Sequence, residues 1–211
     1  MRLRRNWQGE AALPEMPGVL GVGVLPKPVW QEVFGREKPL HVEIGMGKGD
    51  FLLAMAAKHP GIDFVGIERS LSILYIAAQK NREQPLANLR FLPVDAEELG
   101  DYFMPGQVER IYLNFSDPWP KRRHGSRRLT ARGKLGLYRQ MLGVGGQIHL
   151  KTDQRAFFIF SLGELIREGW SVGKMTEDLH RSGYEGNVAT EYELRFHSLG
   201  QPIYRMEAWR P

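Results

Sequence analysis

The 211-residue chain carries 42% hydrophobic and 25% charged residues with a formal net charge of +5, a composition that suits a globular protein long enough to bury a core. It has no cysteine, which excludes disulfides, thiolate metal sites and a cysteine nucleophile. Its six histidines stand apart without metal-type pairing, and no apolar run reaches the roughly 18 residues of a membrane span. Neither a metal nor a membrane is expected, and a cytoplasmic setting fits.

Residues 1–38 read as a basic arm or appendage, opened by Arg2, Arg4, Arg5 and Trp7, and residues 39–211 as one domain. The apolar stretch from Gly18 to Leu25 lies among Pro14, Pro17 and Pro26 and lacks a small-residue cleavage site, so it is not read as a secretion signal. Leu40 to Ile44 predicts a buried strand, followed by the glycine loop Gly45 to Gly49 and a helix from Asp50, its expected cap, to Lys58. Phe64 to Ile67 predicts a second strand ended by Glu68, and Ser70 can cap a helix running to about Arg82. Arg90 to Val94, ended by Asp95, is a third strand. Arg110 to Phe115 is a fourth, which delivers Asp117 just past its end. Gln147 to Lys151 is a fifth, ended by Asp153 and followed by a helix from Ala156 to Glu168. Tyr192 to His197 and Ile203 to Trp209 alternate apolar and polar residues, which predicts a terminal antiparallel hairpin.

Strands alternating with helices imply an α/β fold, with a mostly parallel central sheet flanked by helices and the C-terminal hairpin appended. Ligands of such sheets bind beyond the carboxyl ends of the strands. Glu68, Asp95, Asp117 and Asp153 are all expected on that rim.

The loop Glu43-Ile44-Gly45-Met46-Gly47-Lys48-Gly49-Asp50 has glycines at alternate positions, which permits a tight turn and close approach of a ligand. Asp50 stands where a dinucleotide fingerprint needs its last glycine, and Gly49 where a phosphate-binding loop needs Ser or Thr. A pyrophosphate would be repelled by Glu43 and Asp50, whereas a cationic ligand would not. S-Adenosylmethionine (AdoMet) meets that requirement: Glu43 can face its methionine portion, Glu68 its ribose hydroxyls and Asp95 its adenine amine.

Between Asp117 and Asp153 there is no carboxylate, while Lys121, Arg122, Arg123, Arg127, Arg128, Arg132, Lys134, Arg139 and Lys151 supply nine positive charges. The rest of the chain carries more acidic than basic side chains. So concentrated a field suits a polyanion. Trp119 offers a stacking plane, and Pro118 and Pro120 stiffen the loop from which Asp117 and Lys121 project.

The segments V-E-I-G-M-G-K-G at 42–49, G-I-E at 66–68, Y-L-N-F-S-D-P-W-P-K at 112–121, K-R-R-H at 121–124, R-R-L-T at 127–130, K-T-D at 151–153, T-E-Y-E at 190–193 and G-Q-P-I-Y at 200–204 resemble the bacterial tRNA (guanine-N7-)-methyltransferase family. The resemblance spans nearly the whole chain, and its N-F-S-D-P-W-P-K block is the most specific part. It implies a Rossmann-like class I AdoMet-dependent fold that methylates N7 of a guanosine in the tRNA variable loop. Carried over by motif, Glu43, Gly45, Gly47, Glu68, Asp95 and Asp117 would serve AdoMet, and Asp117 would also be the group at the reacting centre. Lys121, Asp153, Thr190, Glu191, Tyr192 and Glu193 would contact the substrate. Arg123, His124, Gly125, Ser126, Arg127 and Arg128 would hold RNA. Monomer and homodimer fit equally.

Two other functions share these features. Enzymes that methylate exocyclic amines of nucleic acids or protein carry an Asn/Asp-Pro-Pro-Tyr loop, from which Ser116-Asp117-Pro118-Trp119 departs. A non-catalytic RNA-binding module has no need of Glu43, Glu68, Asp95 and Asp117 on one rim.

Overall fold

The parallel strands form around short, largely apolar runs, and polar residues within them such as His41 and Glu43 are buried with their neighbours. The computed structural model describes residues 5–21 and 28–211. Arg2, Arg4 and the segment 22–27, including Pro26, lie outside the described residues. The chain folds as two compact units, Met1–Met104 and Pro105–Pro211.

The first unit contains α1 (Trp7–Ala12), α2 (Trp30–Phe34), β1 (Leu40–Ile44), α3 (Asp50–Lys58), β2 (Asp63–Ile67), α4 (Leu71–Glu83) and β3 (Leu89–Leu92). Its strands run parallel in the order β3-β2-β1, and every residue of β1 and β2 is buried. Ile44 aligns with Ile67 and Ile67 with Leu92, so the three strands end level. The loops leaving them therefore share a rim. β3 ends two residues before the expected Val94.

Two capping expectations are corrected. Gly49, in the left-handed conformation at φ 76°, is the N-cap of α3, and Asp50 is the first helical residue, its carboxylate paired with Lys80. Only glycine takes that backbone without strain. Ser70 does occupy the N-cap of α4, but its side chain makes no capping bond. Glu68 Oε1 accepts from Ser70 N (2.9 Å) instead.

Described residues before Lys38 pack into this unit. Asn6 caps α1 by accepting from Gly9 N (3.0 Å), and Ser72 of α4 both accepts from Asn6 N (3.0 Å) and donates to Glu10 (2.6 Å). Val19 bridges Phe91 at the outer side of β3. Trp30 is buried, stacked on Phe103, and donates to Tyr102 O (3.0 Å).

The second unit contains β4 (Val108–Asn114), α5 (Arg132–Met141), β5 (Leu142–Thr152), α6 (Arg155–Arg167), β6 (Ser171–Thr176), α7 (Glu191–Ser198) and β7 (Tyr204–Trp209). The order is β4-β5-β7-β6, with β4 and β5 parallel and β7 antiparallel to both its neighbours. The antiparallel C-terminal strand is present, but its partner is not Tyr192 to His197, which is helical. Thr190 Oγ1 accepts from Glu193 N (3.0 Å), so the Thr-x-x-Glu capping spacing overrode the local alternation. β6 takes the partner's place.

Asn88, buried beside β3, turns its side-chain amide to Ala56 O (2.9 Å), His59 O (3.2 Å) and Ile62 O (2.9 Å), tying the end of α3 to the start of β2. Removing a donor shared by buried carbonyls costs about 1–3 kcal/mol. Asn88→Ala is expected to lower the urea unfolding free energy by that amount. An unchanged midpoint would show that water satisfies the carbonyls instead.

Candidate active site

Level strand ends put a carboxylate-rich loop cluster on the first unit. Glu43, on β1 opposite Gly66 of β2, is 2% exposed. Gly45 N and Met46 N both donate to Ile67 O (2.9 and 3.0 Å), folding the glycine loop over the end of β2. Gly45 and Gly47 have φ of 74° and 58°. A Cβ on Gly49 would stand 2.8 Å from Ala77 Cβ, whereas one on Gly47 would meet open space. Gly49 is thus needed for packing, and Gly47 for the turn alone.

Glu68 supports this loop from below. Its Oε2 accepts from Gly47 N (3.2 Å) while Oε1 takes Ser70 N. Both oxygens are thus engaged, which fixes the carboxylate between the glycine loop and the start of α4. Asp95 is half-buried; Oδ1 accepts from Glu97 N (3.1 Å), and Arg69 approaches Oδ2 at 3.3 Å. No motif marks Arg69 for this contact. Such an exposed pair contributes little stability.

In the second unit, Asp117 and Lys121 are exposed on the loop that leaves β4. Two residues of this loop, Phe115 (φ 51°) and Trp119 (φ 42°), adopt left-handed backbone that bulky side chains rarely tolerate. Phe115 N donates to Lys151 O (2.8 Å), which extends the β4–β5 pairing by one residue before the loop departs. Trp119 is half-buried, edge-on to His124, with the Arg127 guanidinium 5.0 Å from its ring.

The K-T-D and T-E-Y-E segments meet. Asp153 does not cap α6: Gln154 is the N-cap residue, and its N–H is taken by Thr152 Oγ1 (3.1 Å). Asp153 Oδ2 instead accepts from Gln154 Nε2 (2.6 Å) and faces the Tyr192 hydroxyl at 3.5 Å. Tyr192 packs between Phe115 (4.9 Å) and Phe196 (4.3 Å). Burial, and after it the Asp153 charge and hydrogen bond, push its phenol up to about 12. Glu191 is exposed, and the Thr190 hydroxyl is engaged by the helix cap.

Glu193 is 0% exposed, and its place is internal. Lys151 Nζ donates to Glu193 Oε2 (2.7 Å), Asn187 Oδ1 (3.1 Å) and Val188 O (3.0 Å). Asn187 Nδ2 donates to Glu193 Oε1 (2.6 Å), and His180 Nε2 stands 3.2 Å from the same oxygen. Sequence reasoning missed Asn187 and His180, which carry no motif signal.

Lys151, one of the nine cations expected to face a polyanion, is buried, a correction that burial alone decides. Arg132 pairs with Glu168 (3.0 Å), and Arg139 donates to Glu168 O. Lys121, Arg122, Arg123 and Arg127 remain exposed on and beside the short 3-10 helix Arg122–Arg127, together with Ser126, while His124, Gly125 and Arg128 are half-buried. These four cations make no ion pair among the described residues. Also among the described residues, no cluster of three or more His, Asp or Glu could hold a metal, and no helix is long and apolar enough to cross a membrane.

Residues 37–206 match a family model described as "Putative methyltransferase". The chain is 47% identical over 219 aligned residues to a tRNA (guanine-N(7)-)-methyltransferase of Geobacillus thermodenitrificans, covering 100% of this chain and 98% of the relative. Among solved structures it is similar to the 16S rRNA methyltransferase KamB at a TM-score of 0.67 and 17% identity, covering 92% of this chain and 99% of that one. It also resembles a mutant of the 16S rRNA (adenine(1408)-N(1))-methyltransferase from Catenulisporales acidiphilia, solved with cosubstrate SAM, at a TM-score of 0.61 and 14% identity over 86% of this chain and 89% of that one. Those two likenesses show the class I methyltransferase fold, and the sequence match shows that the chain belongs to the tRNA (guanine-N(7)-)-methyltransferase family.

Proposed function

We propose that the chain methylates N7 of a guanosine in the tRNA variable loop, with Glu43, Gly45, Gly47, Glu68 and Asp95 holding AdoMet and Asp117 acting at the reacting base. Methyl transfer to tRNA guanosine is the activity of the family to which the chain belongs. One observation supports the residue assignment most: Phe115, two residues before Asp117, rests on Tyr192 and donates to Lys151 O. The loop bearing Asp117 therefore adjoins the Asp153–Tyr192 pair.

The donor set of the first unit suits AdoMet. Its three carboxylates form no phosphate cradle, Gly47 leaves the loop surface open, and Glu68, held by Gly47 N and Ser70 N, would face the ribose hydroxyls. AdoMet, when bound, supplies a methyl group on a positively charged sulfonium. Asp95 would accept from the adenine amine, and Glu43 would face the methionine end.

Guanine N7 presents its lone pair in the major groove without losing a proton first. No general base is required, so Asp117 works as a fixed charge. The purine becomes positive as it is methylated, and a carboxylate held beside it lowers the energy of that change. Alignment supplies the larger share, up to about 7–11 kcal/mol. Asp153 would accept from the guanine N1 and N2 hydrogens, Tyr192 stays a neutral hydrogen-bond donor at working pH, and Lys121 would take the carbonyl or a phosphate. Thr190 and Glu193 shape this turn, and Glu191 lies on its exposed side. Lys121, Arg122, Arg123 and Arg127 would bind phosphates, which sets register rather than base choice. A tRNA substrate suits a cytoplasmic setting.

Labelled AdoMet incubated with unmodified tRNA is expected to yield 7-methylguanosine on nucleoside digestion, and Asp117→Ala is expected to lower kcat by about 100-fold or more. Labelled N6-methyladenosine, or a fully active variant, would reject the reading. Tyr192 gives a second check. Its raised pKa means that the protonated phenol stabilises the fold fully below pH 10, a contribution lost as pH rises through about 12. Absorbance titration of the parent protein against Tyr192→Phe should isolate a phenolate step near 12, and Asp153→Asn should bring that step partway back toward 10. A Tyr192 step already at 10 in the parent protein would refute the pairing.

A further inference from the structure

We infer that Arg128 is a positioning residue that holds the Asp117 loop in its reactive shape, while Arg127 beside it is left to the polyanion. This rests on the reading that Asp117 acts at the reacting base. It divides a run that the family resemblance treats as uniformly RNA-binding.

The need for such a residue lies in the loop sequence. Pro118 and Pro120 have no N–H, so Pro118-Trp119-Pro120 offers a single backbone donor against three carbonyls. The segment cannot close hydrogen bonds on itself. Positive φ at Phe115 and at Trp119, on either side of Asp117, adds a conformation that persists only when its surroundings impose it. The Phe115 N–H to Lys151 O bond restrains the side nearer β4.

Arg128 restrains the other side. Its Nε donates to Pro118 O (3.0 Å) and its Nη2 to Trp119 O (3.0 Å), so one edge of a planar guanidinium spans two consecutive carbonyls. The same group lies 4.1 Å from the centre of the Phe160 ring on α6. Two residues further along, buried Thr130 shares a 2.7 Å hydrogen bond with Ser161, the neighbour of Phe160. The R-R-L-T segment is thus fastened to α6 at Thr130 and grips the loop at Arg128. Arg127 is exposed with its guanidinium above Trp119. A fork edge already committed to two carbonyls cannot also take a phosphate in the paired manner.

Charge and geometry separate in Arg128→Lys, which keeps the cation but cannot bridge both carbonyls at once. At saturating tRNA and AdoMet its kcat should fall at least about tenfold, because small displacements of a reacting group cost that much or more. The salt dependence of its tRNA affinity should match the parent protein. Arg128→Ala, if it folds, should show the same intact slope, whereas Arg127→Ala should flatten the slope by about 0.9 in logarithmic units, the loss of one phosphate contact. A fully active Arg128→Lys, or an Arg128→Ala slope flattened like that of Arg127→Ala, overturns the inference. If Arg128→Ala does not fold, Arg128→Lys still decides. Asp117→Ala run in parallel separates the two levels: full turnover there removes the Asp117 reading and this inference together. An inactive Asp117→Ala beside a fully active Arg128→Lys removes the inference alone.

Discussion

The second unit depends on one buried cation. Lys151, next to last in β5, has its backbone carbonyl receiving Phe115 N and its ammonium enclosed by Glu193, Asn187 and Val188. One residue therefore sets both the departure of the Asp117 loop and the turn that presents Tyr192. Arg205 sits directly opposite on β7, a like-charged pairing that would be unfavourable if unneutralised. Glu193 answers Lys151, and Glu207 answers Arg205, whose guanidinium also lies 3.8 Å from the Tyr184 ring. Buried ion pairs add little net stability compared with apolar packing. Their use here is geometric, because they fix the segment between Tyr184 and Glu193 over a polar floor.

That arrangement also explains how a strongly basic stretch serves two ends. Its exposed cations lie on the short helix after the Pro-Trp-Pro loop and leave a field for phosphate. Its inward ones, Arg128, Arg139 and Lys151, bond to backbone carbonyls at a helix end and in loops. Arginine and lysine suit such work because each satisfies several acceptors that helices and loops leave over. No carboxylate lies within the stretch itself, and Glu168 and Glu193 reach Arg132 and Lys151 from later in the chain.

The strand framework was legible in the sequence because its parallel strands centre on short, largely apolar runs bounded by turn residues, even where His41 or Glu43 interrupts them. β1 matched residue for residue, and the acidic residues ending the strands were placed from it. Elements decided by packing or capping were not legible. Asp50 reads as a cap until Gly49 is seen in left-handed backbone. Tyr192 to His197 alternates like a strand, yet its Thr190 cap and buried Glu193 make it a helix. α5 was hidden by Gly133 and Gly136, and β6 by its exposed, bulged edge. For the site, motifs named the residues but not their orientation. Charge in a sequence carries no sign of burial, so Lys151 and Arg128 read like their exposed neighbours.

The most direct test of the central role of Lys151 is a double-mutant cycle on kcat/KM with unmodified tRNA, using Lys151→Met, Glu193→Gln and the pair. If the two side chains act only through each other, each single change lowers kcat/KM by about 100-fold and the double change lowers it by about the same factor. Independent losses that multiply toward about 10,000-fold in the double variant would contradict the account.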